Sequence, residues 1–304
     1  MTKPRRRVLL WAGLLLCTAS LSAQDPAVSF APEEAQGGPK PTATADDTAA
    51  LAKATQNPVA SLISVPFQNN TNFGVGPYNR TQDVLNVQPV IPIQISEKWM
   101  LISRTIQPIV WQPAPAANAG GQYGFGDMNP TLFLSPAKPG KLIWGFGPAI
   151  VLPTATSTAL GQGKLSFGPS AVVLVQPGHW TIGALVNNVF SVAGSPHRPY
   201  VNQMLLQYFI NYNLKKGWYL TSAPIITANW RSKGSGEAST GNDTTGGSVW
   251  TIPFGGGAGR IMRLGYQPVN IAVNFYGNAV HPPGASSWGM RLQIALLYPK
   301  KPKP

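Results

Sequence analysis

The chain has 304 residues, of which only 11% are charged, and carries a formal net charge of +13. Lys3, Arg5, Arg6 and Arg7 supply four of those charges ahead of an apolar run, and the +9 left without them includes the terminal Lys300, Lys301 and Lys303. The basic balance therefore reflects scarce acids and not a lysine-rich face, which argues against a nucleic-acid partner. With 32 Gly, 30 Pro and 43% hydrophobic residues, the composition also argues against a soluble globular domain, whose surface needs charge, and favours a chain whose exterior meets lipid.

Residues 1–23 read as a secretory signal peptide. The basic cluster precedes the run 8–16, too short to span a bilayer as a helix, and small residues lead to a cleavage position at Ala23. Leu16 is too bulky for lipoprotein processing at Cys17, so the only cysteine is expected to leave with the signal. A mature chain without cysteine has no disulfide, thiolate metal site or cysteine nucleophile. Residues 24–57 form a flexible periplasmic linker in which 46–56 make one short helix. Asp46 is a suitable N-cap, Ala49, Ala50, Leu51, Ala52 and Ala54 favour helix, and Asn57 with Pro58 stops it. The helix is either a stub at a barrel mouth or a plug.

Residues 58–299 read as a closed antiparallel transmembrane β-barrel of twelve strands, followed by a basic tail, 300–304. The expected strands are 59–67, 83–95, 99–112, 127–135, 142–153, 165–176, 180–192, 201–214, 218–230, 249–261, 268–280 and 288–298. Short connections (96–98, 137–141, 177–179, 215–217, 262–266) alternate with longer ones (68–82, 113–126, 154–164, 193–200, 231–248, 281–287), as in outer-membrane barrels. Trp99, Trp144, Trp180 and Trp218 follow short turns, while Trp111, Trp230, Trp250 and Trp288 flank long loops, which predicts two interfacial girdles. Prolines 89, 92, 108, 130, 148, 169 and 224 oppose the assignment, since each removes a ladder donor, and are read as bulges or bends.

Alternation along a strand separates lipid from lumen. It places Gln203, Gln207 and Asn211 opposite Met204, Leu206, Tyr208, Ile210 and Tyr212, and Asn270, Asn274 and Asn278 opposite Val269, Ile271, Val273 and Phe275. It likewise sets Arg291 and Gln293 against Met290, Leu292, Ile294 and Leu296. Arg104 shares a face with Met100, Ile102, Ile106 and Val110, so either that apolar face is the lumen or the register slips at Pro108. Asp127 is either a lumen charge pairing with Arg104 or Arg291, or a turn residue capping the glycine loop before it. These ten polar residues are the lumen candidates.

No nucleophile with a nearby base and no metal-ligand spacing is evident, so neither an enzyme nor a cofactor is expected. His197 beside Ser195, or His281, would be the residues of a lipid hydrolase, but no orienting carboxylate is near them in sequence, and His179 lies in a tight turn. The segment 254–260 lacks the Lys and Ser/Thr of a phosphate loop.

The segments LAKATQNPVASLISVPFQNN (51–70), GFGDMNPTLFLSPAKPGKLIWGFGPA (124–149) and VNQMLLQYFINYN (201–213) resemble the outer-membrane family named for the meta-pathway of phenol degradation, often labelled neuromedin U. The resemblance spans nearly the whole barrel, and Gly126–Asp127 ahead of a strand is its most typical feature. It implies an outer-membrane barrel of a Gram-negative-type bacterium associated with uptake of aromatic or hydrophobic compounds, with outer-membrane lipid, small solutes and the barrel-assembly machinery as partners. The basic tail after Tyr298 departs from the usual aromatic end of such barrels. The function expected is a channel or transporter whose amide-lined lumen suits small neutral or weakly polar solutes. A lipid hydrolase and a secreted soluble β-rich binding protein are the alternatives.

Overall fold

The computed structural model describes residues 45–231 and 249–299. The signal peptide, most of the linker, residues 232–248 and the basic tail lie outside the described residues.

One antiparallel sheet closes on itself. Its twelve barrel strands are β1 (Ile63–Val75), β2 (Arg80–Val87 and Val90–Gln94), β3 (Trp99–Gln112), β4 (Gln122–Phe125 and Asn129–Pro136), β5 (Leu142–Val151) and β6 (Lys164–Val175), then β7 (Trp180–Gly194), β8 (Asn202–Asn213), β9 (Trp218–Ser222 and Ile225–Asn229), β10 (Trp250–Leu264), β11 (Gln267–Val280) and β12 (Trp288–Tyr298). Each strand pairs with the next, and β12 returns to β1 in a register running from Ile63 opposite Tyr298 to Phe73 opposite Trp288. Closure leaves no sheet edge, the condition for a β-structure to cross lipid.

Side chains alternate as the pleat requires. In β6, Ser166, Ser170, Val172 and Leu174 are buried toward the lumen, while Phe167, Val173 and Val175 are exposed outward. The tryptophans lie in two belts: Trp99 meets Trp144 edge to face at 6.0 Å near the short turns, and Trp230 meets Trp250 at 5.3 Å near the long loops. Both belts fit the two interfaces of a bilayer.

The first hairpin departs from the sequence expectation. The loop expected at 68–82 is instead strand on both sides of a turn at 76–79, so β1 ends at Val75 and not near Phe67. Its amides are polar on both faces and hide the period. Inside, Asn72 Nδ2 donates to Gln82 Oε1 at 3.0 Å; outside, Thr71 Oγ1 donates to Asp83 Oδ1 at 2.6 Å, so the strands satisfy each other's polar groups. The turn before β11 is also tighter than expected, because β10 runs on to Leu264.

Two of the objecting prolines mark strand breaks. Pro89 follows Gln88 in the gap of β2, and Pro224 follows Ala223 in the gap of β9. Pro148 and Pro169 face each other across β5 and β6 inside a continuous ladder. Close packing inside the barrel requires glycine at Gly259, where a Cβ would stand 2.3 Å from the Tyr219 ring.

Helix α1 (Ala45–Thr55) lies at the short-turn end, close to the expected 46–56. An isolated helix of this length is marginal in water, so its contacts with the barrel hold it. Ala52 is buried among Leu62, Tyr219, Ile261, Ala272, Ala295 and Leu297. The Lys53 carbonyl accepts from Gln176 Nε2 at 2.8 Å, and the Gln56 and Asn213 amides exchange hydrogen bonds of 2.8 and 3.1 Å. Beyond the helix, Val59 enters a second cluster with Met100, Ile102, Phe133, Ile143, Val172, Leu174, Leu185 and Phe209. Residues 45–62 thus form a plug within the short-turn end of the barrel.

Candidate functional site in the lumen

Among the described residues, three adjoining cavities follow one another in the lumen. The plug-side one, about 190 Å3, has plug residues 54–58 in its lining together with Arg104 and Arg291. It shares Tyr276 and Arg291 with a second cavity of about 270 Å3. That cavity in turn shares Gln82, Gln112 and Thr227 with a third of about 380 Å3 toward the long loops.

Seven of the ten lumen candidates line the plug-side cavity: Arg104, Gln207, Asn211, Asn270, Asn274, Arg291 and Gln293. Gln203 and Asp127 line the third cavity, and Asn278 lines the second. Several hold structure as well. Asn270 Oδ1 accepts from the Tyr219 hydroxyl at 2.8 Å, and Asn278 Nδ2 donates to the Ser286 carbonyl at 2.6 Å, tying down the loop before β12.

The face of β3 that carries Arg104 is the lumen, and the register does not slip. Met100 and Ile102 on that face pack into the plug-side cluster, and Ile106, Pro108 and Val110 line the third cavity. Arg104 Nη2 donates to Gln88 Oε1 at 3.0 Å. Arg291 donates from Nε to Asn70 Oδ1 and from Nη1 to the Ala223 carbonyl, both at 3.0 Å, with its guanidinium 4.9 Å from the Tyr276 ring centroid. Both cations are therefore seated on the strand breaks. Gln88 precedes Pro89 and meets Arg104 through its side-chain amide, while Ala223 precedes Pro224, where the interrupted ladder frees its backbone groups to serve side chains. The Ala223 N–H donates to the Tyr276 hydroxyl at 3.3 Å, and its carbonyl also accepts from Gln207 at 3.4 Å.

Asp127 pairs with neither arginine, which corrects that part of the sequence expectation. Its carboxylate accepts from the backbone N–H groups of Ala155 at 3.1 Å and Gln162 at 2.6 Å, so it holds the loop 152–163 that follows β5, not the glycine loop before it. A carboxylate at a strand break is well placed for this, because loop N–H groups lack ladder partners. Arg198 secures the same loop from outside, donating to the carbonyls of Thr158 at 2.9 Å, Gln162 at 3.1 Å and Gly161. The loop brings Leu160 into the wall of the third cavity. Arg198, Gln88, Asn70 and Tyr276 escaped the sequence reading; the proline after Gln88 was the available signal for one of them.

The histidines named for a hydrolase lie in long loops. His197 contacts Ser195 Oγ through its backbone N–H, and the His281 ring nitrogen Nδ1 is 3.0 Å from the Pro282 carbonyl. Neither contact joins an imidazole to a serine hydroxyl.

No family model matches the sequence, and no curated protein matches it. Among solved structures, the fold is similar to that of an outer-membrane channel from Pseudomonas putida F1 at 14% identity, covering 78% of this chain and 94% of that one with a TM-score of 0.56. The outer membrane phospholipase A of Escherichia coli is more distant, at 12% identity and a TM-score of 0.41, over 79% of this chain and 99% of that one. The chain thus has the fold of outer-membrane barrels, and identities this low carry over no residue roles.

Proposed function

We propose that the protein is an outer-membrane channel or transporter-like barrel that passes small solutes, placed in the meta-pathway outer-membrane family that its sequence resembles and exported by its signal peptide. The observation that carries this reading is the chain of adjoining lumen cavities, which reaches from the long loops to the plug. The similarity in fold to a channel supports it. A lumen filled by packing would serve only stability; here amides and guanidiniums line open space, and polar residues at membrane depth mark pathways. The third cavity sets Ile106, Val110, Val189 and Leu205 beside Gln82, Gln112, Asn187 and Gln203, a mixed wall that accords with solutes that are partly hydrophobic.

Reconstitution into liposomes with graded small solutes tests the proposal. Solute-dependent swelling by protein recovered from outer membranes is the expected result. Liposomes that stay impermeable, or protein extracted without detergent, would contradict it.

A further inference from the structure

We infer that Arg104 and Arg291 form an anion-binding site beside the plug, which takes the carboxylate of a small amphipathic acid while the acid's apolar part lies in the neighbouring cavity. The inference deepens the channel reading by naming a substrate class.

The first ground is charge. Two guanidiniums line one cavity of about 190 Å3, and no carboxylate does. Their partners are neutral oxygens of Gln88, Asn70 and Ala223. Among the described acids, Asp83 faces outward on Asn69 and Thr71, and Asp127 is taken up by the loop 152–163. Like charges held together inside an apolar barrel are costly without a counter-ion, and an ionisable group at membrane depth is retained where it meets a ligand or relay.

The second ground is donor capacity. A guanidinium has five N–H donors. Arg104 uses one on Gln88 and Arg291 uses two, so most of the fork is left to face the cavity. Arg291 is also held over Tyr276, which fixes its plane. A planar fork of this kind suits a carboxylate, which accepts two parallel bonds.

The apolar part of the ligand meets Ile225, Pro253 and Met290 in the second cavity, which shares Arg291 and Tyr276 with the arginine site.

Calorimetric titration of the detergent-solubilised full chain tests the site without requiring transport. The probes are sodium hexanoate, its uncharged analogue hexanamide, and inorganic phosphate. Hexanoate should bind at least about tenfold more tightly than either of the others. Arg104→Gln and Arg291→Gln should each weaken hexanoate by about tenfold while leaving hexanamide unchanged, and Arg291→Lys should fall between. Heat-dependent gel mobility identifies variants that fold, and the comparison of probes on the unaltered protein stands without any variant. Equal binding of acid and amide, tighter binding of phosphate, or undiminished hexanoate binding by both folded Gln variants would overturn the inference. Hexanoate binding by a barrel that passes no solute would preserve this site and remove the channel reading.

Discussion

Along β11, β12 and β1 the lumen side of the wall carries Asn270, Asn274, Tyr276, Arg291, Gln68 and Asn70, whereas along β3 to β7 the same side carries Met100, Ile102, Phe133, Ile143, Val172, Leu174 and Leu185. The strands obey one alternation, yet the first arc presents amides and Arg291 to the plug-side cavity while the second closes around Val59 through apolar side chains. Apolar lumen residues are where Val59 anchors residues 45–62, and the amide wall is where polar groups remain available to a solute. The contrast teaches that facing inward does not mean facing water.

The largest stability effect should come from the apolar arc. Phe133 is fully buried, so Phe133→Ala should cost about 3–5 kcal/mol. Denaturant unfolding of the folded barrel measures this, and a cost below about 1 kcal/mol would show that the arc bears little load. Next, Gly259→Val places side-chain atoms against Tyr219 beside the plug and should cost about 1–3 kcal/mol in the same assay. Unchanged stability would mean that Tyr219 moves freely.

At the mouth, Asp127→Asn removes the charge that the Ala155 and Gln162 N–H groups meet, and should weaken the loop's attachment by about 1–3 kcal/mol. Proteolysis within 152–163 should accelerate, with the barrel otherwise intact; an unaltered cleavage rate would assign the loop's order to Arg198 alone. The smallest effect is expected on the amide wall. Asn274→Leu removes an unpartnered buried acceptor and should change stability by less than about 1 kcal/mol, in either direction. A loss as large as that of Phe133→Ala would erase the distinction between the arcs.

Much of the barrel was legible in the sequence, because period-two alternation, girdle tryptophans and loop lengths are consequences of one sheet crossing lipid. The short helix was legible in its helix formers and the stop at Asn57–Pro58, but the choice between stub and plug was not, since nothing local showed that Ala52 and Val59 would anchor it inside the barrel. What escaped has physical causes. The first hairpin is polar on both faces, so Gln68 to Asn72 have no apolar period to read. Arg104 was ambiguous because a plug makes part of the lumen as apolar as a lipid face. Pro89 and Pro224 counted against strands when taken one at a time; only the closed sheet shows that the gaps beside them hold the two arginines through Gln88 and Ala223. Asp127 was bound to be misread, since its partners lie 28 and 35 residues away in the chain.

The central claim is a solute pathway that ends on a plug, and single-channel conductance in planar bilayers tests it most directly, comparing the full chain with a variant lacking residues 45–57 but retaining its export signal. The account predicts a small conductance for the full chain and a several-fold larger one for the variant, with heat-dependent gel mobility showing both barrels folded. Equal conductance in the two folded proteins would contradict the plug, and none in either would contradict the pathway.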